Sequence, residues 1–162
     1  MFDVNINPRV FSNWRHLLAF GLGSGLARKA PGTWGTLASV PFCCALWWFV
    51  PLWLLLLVLL VASVLGIFLC DSVSQDLCVH DHGGIVWDEW VGYGISLMAL
   101  PHVWFWPVLA FIFFRLFDIW KPWPIRLCDE KISGGFGIMF DDVIAGVFAC
   151  AALHLLRIGA GL

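Results

Sequence analysis

The uncharged segment from Ala30 to Cys70 restricts what this chain can fold into more than any other feature of the sequence. About 20 apolar residues are enough for one helix to cross the hydrocarbon of a bilayer, so this segment has room for two helices. We expect them at about 36–50 and 53–70, with Pro51 at the turn between them, because proline disrupts a helix interior. Tryptophans surround that turn, as they do at membrane interfaces: Trp47, Trp48 and Trp53.

The composition supports a membrane protein. Hydrophobic residues make up 61% of the 162 residues and charged residues 12%, with a mean hydropathy of +0.90. Soluble domains carry about 25% charged residues. The net charge of −2 argues against a nucleic-acid partner, which would require a basic surface. We therefore expect one membrane-embedded domain over residues 1–162.

The remaining apolar segments predict further helices. The uncharged stretch 90–114 is interpreted as a hairpin of helices at about 89–100 and 104–117, and a last apolar run covers 143–156. Residues 16–36 are apolar but rich in Gly and Pro, which is typical of a re-entrant or interfacial element. The predicted fold is an all-α, polytopic membrane bundle of four to five membrane helices with a broken N-terminal segment.

The charges fall on one side of this topology. If the N-terminus is cytoplasmic, only Arg157 among the basic residues lies on the opposite side, which is a strong positive-inside signal. The other eight are Arg9, Arg15, Arg28, Lys29, Arg115, Lys121, Arg126 and Lys131. Nearly all the acids collect on the same side, which an ordinary membrane anchor does not need but a functional site does.

Six cysteines show no C-x-x-C spacing. Cys43, Cys44, Cys70 and Cys150 lie in apolar runs, where cysteine behaves as a small hydrophobic residue. We expect no disulfide pairing.

Three groups of charged residues share the predicted cytoplasmic side. The first joins Asp81 to the adjacent acids Asp88 and Glu89, which lie at the edge of an apolar run, where charge is costly unless a cation or partner holds it. The second is Arg115 with Asp118, three residues apart and on one helical face. It continues to Lys121, whose presentation Pro122 and Pro124 fix by ending the helix.

The third group follows the glycine-rich stretch 134–137, which we interpret as a flexible turn leading into Asp141 and Asp142 at the start of the last helix. Acids at the start of a helix also interact favourably with the helix dipole, which gives them a purely structural explanation. Carboxylates together with water and phosphate oxygens are the ligands that Mg²⁺ prefers, and Arg and Lys bind phosphate. The combination predicts metal-assisted phosphoryl chemistry, and the alternative is a structural salt-bridge cluster.

Other motifs are weaker. Residues 21–25 resemble a dinucleotide loop without the strand it requires. The stretch 31–36 is not a Walker A motif, although its Gly amides and the hydroxyls of Thr33 and Thr36 could line an anion site. His80 and His82 lack an H-E-x-x-H pattern and are either interfacial residues or a general acid. Motifs for covalent phosphatases are missing, so a metal-activated water is the simplest nucleophile.

Five strings carry a resemblance to a known family: WRHLLAFGLGSGL, APGTWGTLASVPF, DLCVHDHGGIVWDEWVG, FRLFDIWKPWPI and GGFGIMFDDVIAGV. They resemble the phosphatidylglycerophosphatase A family. The resemblance implies a bacterial inner-membrane, Mg²⁺-dependent phosphatase that converts phosphatidylglycerophosphate to phosphatidylglycerol and phosphate. The family's acidic motif positions fall on Asp81, Asp88, Glu89, Asp118, Asp141 and Asp142, and its basic positions on Arg115 and Lys121.

These observations give one leading hypothesis and two alternatives. In the leading one, Mg²⁺ is bound among Asp88, Glu89, Asp141 and Asp142, Asp118 is a further ligand or a base, and Arg115 and Lys121 hold the lipid phosphate; Asp81 also belongs to the predicted catalytic set. The first alternative is a small transporter component whose acids bind a permeating cation. The second is a phosphotransferase using a nucleotide-linked lipid, whose spaced Asp-Gly motif is absent.

Overall fold

The computed structural model describes residues 10–79 and 82–161, and within these ranges it contains helices and turns but no strand. The all-helical prediction is confirmed. From Trp14 onward the elements are α1 (Trp14–Ala19), a 3-10 helix (Gly21–Leu26), α2 (Pro31–Phe49), α3 (Leu52–Leu77), α4 (Trp87–Ser96), α5 (Phe105–Trp120), α6 (Ile125–Lys131) and α7 (Gly134–Gly159).

Two of these helices, α3 and α7, are long and apolar enough to cross a membrane. Pro51 separates α2 from α3 as predicted. However, α3 runs past residue 70, where we expected the apolar helix to end, and continues to Leu77. No Gly or Pro interrupts residues 71–77, and the helix stops only where Cys78 adopts the left-handed conformation at φ 54°.

The last helix also begins earlier than expected. α7 starts at Gly134, so Asp141 and Asp142 lie within the helix and do not open it. The glycine stretch forms the first turn of α7 because this turn packs closely on α3. A Cβ atom on Gly135 would overlap the carbonyl oxygen of Ile67, and Asp71 of α3 accepts a hydrogen bond of 3.2 Å from the Gly135 N–H.

The N-terminal region is broken, as predicted. α1 is followed by the 3-10 helix, in which Leu22 and Gly23 have left-handed φ angles of 57° and 96°. The predicted hairpin is present as α4 and α5. All six cysteines are free, in agreement with the expectation that no disulfide is needed.

α7 lies at the centre of the bundle and packs against α3, α4, α5 and α6. It also crosses α4 closely, where a Cβ atom on Gly146 would overlap the carbonyl oxygen of Gly92. Small residues allow such close approach between apolar helices. The consequence is that the first half of α7 is held against the N-terminal end of α4, where Glu89 lies.

Candidate active site

The ends of several helices meet on one side of the bundle and bring the predicted residues together. Glu89 is on the first turn of α4, Arg115 is near the end of α5, and Thr36 is on the second turn of α2. The opposite side is aromatic: the Trp47 indole N–H donates to the Leu100 carbonyl at 3.2 Å. The predicted charged residues Glu89 and Arg115 therefore meet at one end of the bundle.

Arg115 is the centre of the first cluster. Its Nη1 atom lies 3.0 Å from Glu89 Oε1 and 2.6 Å from Asp118 Oδ2. It also donates to the Thr36 hydroxyl at 3.4 Å. The Arg115, Glu89 and Asp118 side chains are only 11–14% exposed. One guanidinium is therefore shared by two buried carboxylates, and its buried Nε atom has no hydrogen-bond partner within the described residues.

Two glycines of α2 let this helix approach Glu89. A Cβ atom on Gly32 would overlap Glu89 Oε1, and one on Gly35 would lie 2.7 Å from Oε2. Thr36 donates to the Gly32 carbonyl at 2.9 Å and lies 3.5 Å from Glu89 Oε2. The glycine spacing of three residues, which places both on one helical face, was the sequence signal that could have predicted this contact.

Lys121 is the centre of the second cluster. Its Nζ atom lies 2.8 Å from Asp129 Oδ1 and 2.7 Å from Asp141 Oδ2. Burial lowers the pKa of Lys121, but the hydrogen bonds and charges of Asp129 and Asp141 outweigh burial and raise the pKa above its usual value. Lys121 follows α5 in the left-handed conformation at φ 44°, ahead of Pro122, so the predicted helix end at this position is confirmed. Lys121 is therefore a permanent cation between α6 and α7.

Asp142 lies between the two clusters and is 3% exposed. The charges that act on it come from Asp118, Asp88, Asp141 and Glu89, so five acids share one neighbourhood. Asp142 Oδ2 and Asp141 Oδ1 are buried and have no hydrogen-bond partner within the described part of the chain. Buried carboxylate oxygens without a partner are costly, which is what a bound cation would relieve.

The outcome for the other predicted residues is mixed. Asp81 and His80 lie outside the described residues. Thr36 is buried in the Arg115 cluster, whereas Thr33 is half-buried on the first turn of α2 and no contact joins it to the site. The His82 ring accepts a hydrogen bond from the Gly84 N–H at 3.1 Å, which is a local turn contact.

Sequence reasoning missed one residue of the site, Asp129, which shares Lys121 with Asp141. Its position on the exposed helix α6, between Cys128 and Glu130, gave no signal of this contact.

The acidic cluster is chemically suited to Mg²⁺, although its arrangement is not a closed cage. Within residues 10–79 and 82–161, no three His, Cys, Asp or Glu side chains converge closely enough to hold a metal ion by themselves. Mg²⁺ commonly uses only one or two carboxylates, with waters and substrate phosphates completing its octahedron. The partnerless oxygens of Asp141 and Asp142 fit that requirement.

The fold and the site define a class: an all-helical membrane protein with buried acids and bases gathered at one end of an apolar bundle. The chain belongs to the phosphatidylglycerophosphatase A family, whose model, described as "Phosphatidylglycerophosphatase A", matches residues 17–157. The family resemblance of the sequence motifs is thereby confirmed.

Three relatives support this membership. The chain is 49% identical to phosphatidylglycerophosphatase A of Escherichia coli K12, over 95% of this chain and 90% of the relative. It is 50% identical to phosphatidylglycerophosphatase A of Haemophilus influenzae, over 88% of both chains. It is 36% identical to a putative phosphatidylinositol-3-phosphatase of Bacteroides thetaiotaomicron, over 87% of this chain and 92% of the relative. No solved structure matches the chain.

Proposed function

We propose that this protein hydrolyses the terminal phosphate of phosphatidylglycerophosphate, releasing phosphatidylglycerol and inorganic phosphate. The observation that carries the proposal is the identity of about one half to two proteins named phosphatidylglycerophosphatase A, over at least 88% of each chain. The buried charged site supports it, because phosphate-ester hydrolysis needs groups that offset developing negative charge.

In this proposal the basic residues bind the phosphomonoester. Arg115 offers a planar guanidinium suited to phosphate oxygens, and its unpartnered Nε is a donor available to a new acceptor. Lys121 adds a second positive charge, and the Thr36 hydroxyl lies beside Arg115. Asp118, held by Arg115, is the candidate base for the attacking water. Water bonds to phosphorus as the bond to the glycerol oxygen breaks, and that oxygen takes up a proton.

We further propose Mg²⁺ as the cofactor, with Asp142 and Asp141 as its first candidate ligands and Asp88 and Glu89 beside them. When bound, Mg²⁺ would neutralise phosphate oxygens and make a coordinated water more acidic. The acids of α7 are suited to this because their partnerless oxygens are already buried at the site. Without a cation, five neighbouring carboxylates would repel a doubly charged phosphate.

We propose that the protein is embedded in the bacterial inner membrane with four to five membrane helices: α2, α3, the α4–α5 hairpin and α7. The charged end would then face the cytoplasm. The positive-inside distribution of Lys and Arg and the two long apolar helices support this orientation. A headgroup phosphate lies at the membrane surface, which is where this arrangement would put Arg115 and Lys121.

The test is phosphate release by the purified protein in mixed micelles. Phosphatidylglycerophosphate should be hydrolysed in the presence of Mg²⁺, and chelation with EDTA should reduce the rate at least a hundredfold, with recovery when Mg²⁺ is restored. Phosphatidylinositol 3-phosphate serves as the second substrate, because one relative is named for that activity. Hydrolysis that continued at the same rate after chelation would contradict Mg²⁺ as the cofactor. If neither lipid released phosphate, the proposed phosphatase function would be contradicted.

The same assay distinguishes the enzyme from the transporter alternative, because a transporter would carry cations across vesicle membranes but release no phosphate. The position of the charged groups favours the enzyme, because they gather at one end of the bundle. A permeation pathway would need them along its length.

A further inference from the structure

A cleft of about 500 Å³ lies beside Lys121, between the end of α5 and the helix α6. This volume is within the range of small-ligand sites. It does not include Arg115, but Lys121 lines it and also belongs to the second cluster, so the cleft adjoins the proposed active site. One wall is apolar, with Trp120, Trp123 and Leu127, and the other carries the charged residues Lys121, Arg126 and Glu130.

The apolar wall is exposed in a way that suits a membrane surface. Trp120 and Trp123 are 70% and 80% exposed. Such exposure is unfavourable in water, but the headgroup region is where tryptophan is preferred. A ligand in this cleft would therefore have an apolar part in lipid and a polar part next to the charged wall.

Arg126 is the basic residue of the cleft that the proposed reaction does not use. Its Nε atom lies 2.8 Å from Glu130 Oε1, and the two side chains are 75% and 55% exposed. Exposed pairs of this kind contribute little stability, so an anion can replace Glu130 at small cost. A phosphodiester presents two oxygens that match the guanidinium fork.

We propose that this cleft binds the internal phosphodiester of the lipid substrate, and that Arg126 is the residue that recognises it. The inference rests on the proposed function and adds to it a basis for selectivity. Phosphatidylglycerophosphate carries a phosphodiester one glycerol unit away from the phosphate that is removed, and Arg126 and Lys121 line one cleft. Phosphatidic acid has a phosphomonoester but no phosphodiester, so it does not engage Arg126.

The experiment compares kcat/KM for phosphatidylglycerophosphate and phosphatidic acid in the same mixed micelles. Arg126→Gln should lower kcat/KM for phosphatidylglycerophosphate roughly tenfold, mainly by raising KM. The effect is modest because an exposed charge-assisted hydrogen bond contributes less binding free energy than a buried one. The value for phosphatidic acid should not change. Arg126→Lys keeps the charge and should recover part of the loss. Lys131→Gln, on the same helix but outside the cleft, is the matched control and should change neither value.

The outcomes separate this inference from the proposed function. If the wild-type protein hydrolyses neither lipid, the proposed function fails. If it hydrolyses phosphatidylglycerophosphate but Arg126→Gln leaves the ratio of the two kcat/KM values unchanged, whether both fall or neither does, the phosphodiester assignment is overturned. An equal effect of Lys131→Gln would also overturn it, because general surface charge would then explain the result.

Discussion

The two 26-residue helices α3 and α7 look alike by length and apolar content but have different roles. In the most apolar window of α3 only 22% of the residues are buried within the protein, against 56% in α7. α3 exposes large side chains such as Leu60 and Phe68, whereas α7 has neighbouring helices on several sides. Hydropathy identifies both as membrane helices, but only packing shows that α7 is the central one.

Their acids differ in the same way. Asp71 and Asp76 lie in the last two turns of α3 and have ordinary partners: the Gly135 N–H for Asp71 and the His16 ring, at 3.1 Å, for Asp76. Asp141 and Asp142 lie inside α7, are 7% and 3% exposed, and each retain an oxygen without a hydrogen-bond partner. An acid kept buried and incompletely satisfied in the central helix indicates function, and an acid near the end of a peripheral helix indicates structure.

The substitution Asp142→Asn should have the largest effect and tests this contrast directly. Phosphate release should fall at least about a hundredfold, the usual cost of losing a group that stabilises reacting charge. The thermal unfolding midpoint in detergent should not fall, because the amide keeps the shape and removes a buried charge. Asp76→Asn on α3 is the matched control and should retain near-normal activity. Equal losses in the two variants would remove the distinction between the helices.

The next effect is expected at Arg115, which forms ion pairs with both Glu89 and Asp118. Arg115→Met should reduce the free energy of unfolding by about 3 kcal/mol, because removing one partner leaves buried carboxylates uncompensated. It should also lower phosphate release, by less than Asp142→Asn does. Arg126→Met, at an exposed pair, controls for loss of a charge and should not lower the unfolding midpoint. A stable Arg115→Met variant would show that the cluster is hydrated, in contrast to the buried cluster described above.

The sequence predicted the helices better than it predicted how the candidate site is built. Apolar runs and Pro51 defined α2 and α3. The spacing of Arg115 and Asp118 predicted a shared helical face, on which the two side chains form an ion pair. The predicted start of α7 was wrong. Glycines weaken an isolated helix, but here packing on α3 and the hydrogen bond from Gly135 to Asp71 stabilise the first turn. Tertiary contacts between distant segments carry that information, and local spacing does not.

A smaller effect is expected where α7 crosses α4. Gly146→Ala places a methyl group against the Gly92 carbonyl and should lower the free energy of unfolding by about 2 kcal/mol, typical of overpacking. Gly159→Ala, in the same helix with open space around it, is the matched control and should be neutral or slightly stabilising. Thermal unfolding of both variants in one detergent gives the comparison. Equal midpoints would contradict the tight crossing that makes α7 central.

The smallest effect is expected at Asp71, whose side chain connects α3 to α7. Its carboxylate accepts from the Gly135 N–H, so Asp71→Ala should cost about 1 kcal/mol of unfolding free energy, as the loss of a helix cap does. Asp71→Asn keeps an acceptor oxygen and should cost less, which separates the hydrogen bond from the charge. Ser72→Ala, next to it on α3, removes only a 3.3 Å surface contact from Arg15 and should have little effect.

Hydrogen exchange at the start of α7 is the decisive measurement for Asp71. If Asp71 acts as this cap, amide exchange at residues 135–138 should accelerate in Asp71→Ala, while exchange in the middle of α3 stays unchanged. Exchange that instead accelerated along α3 would place the role of Asp71 in its own helix. The start of α7 would then be held on α3 by the close packing of Gly135 against Ile67 and not by the Asp71 hydrogen bond.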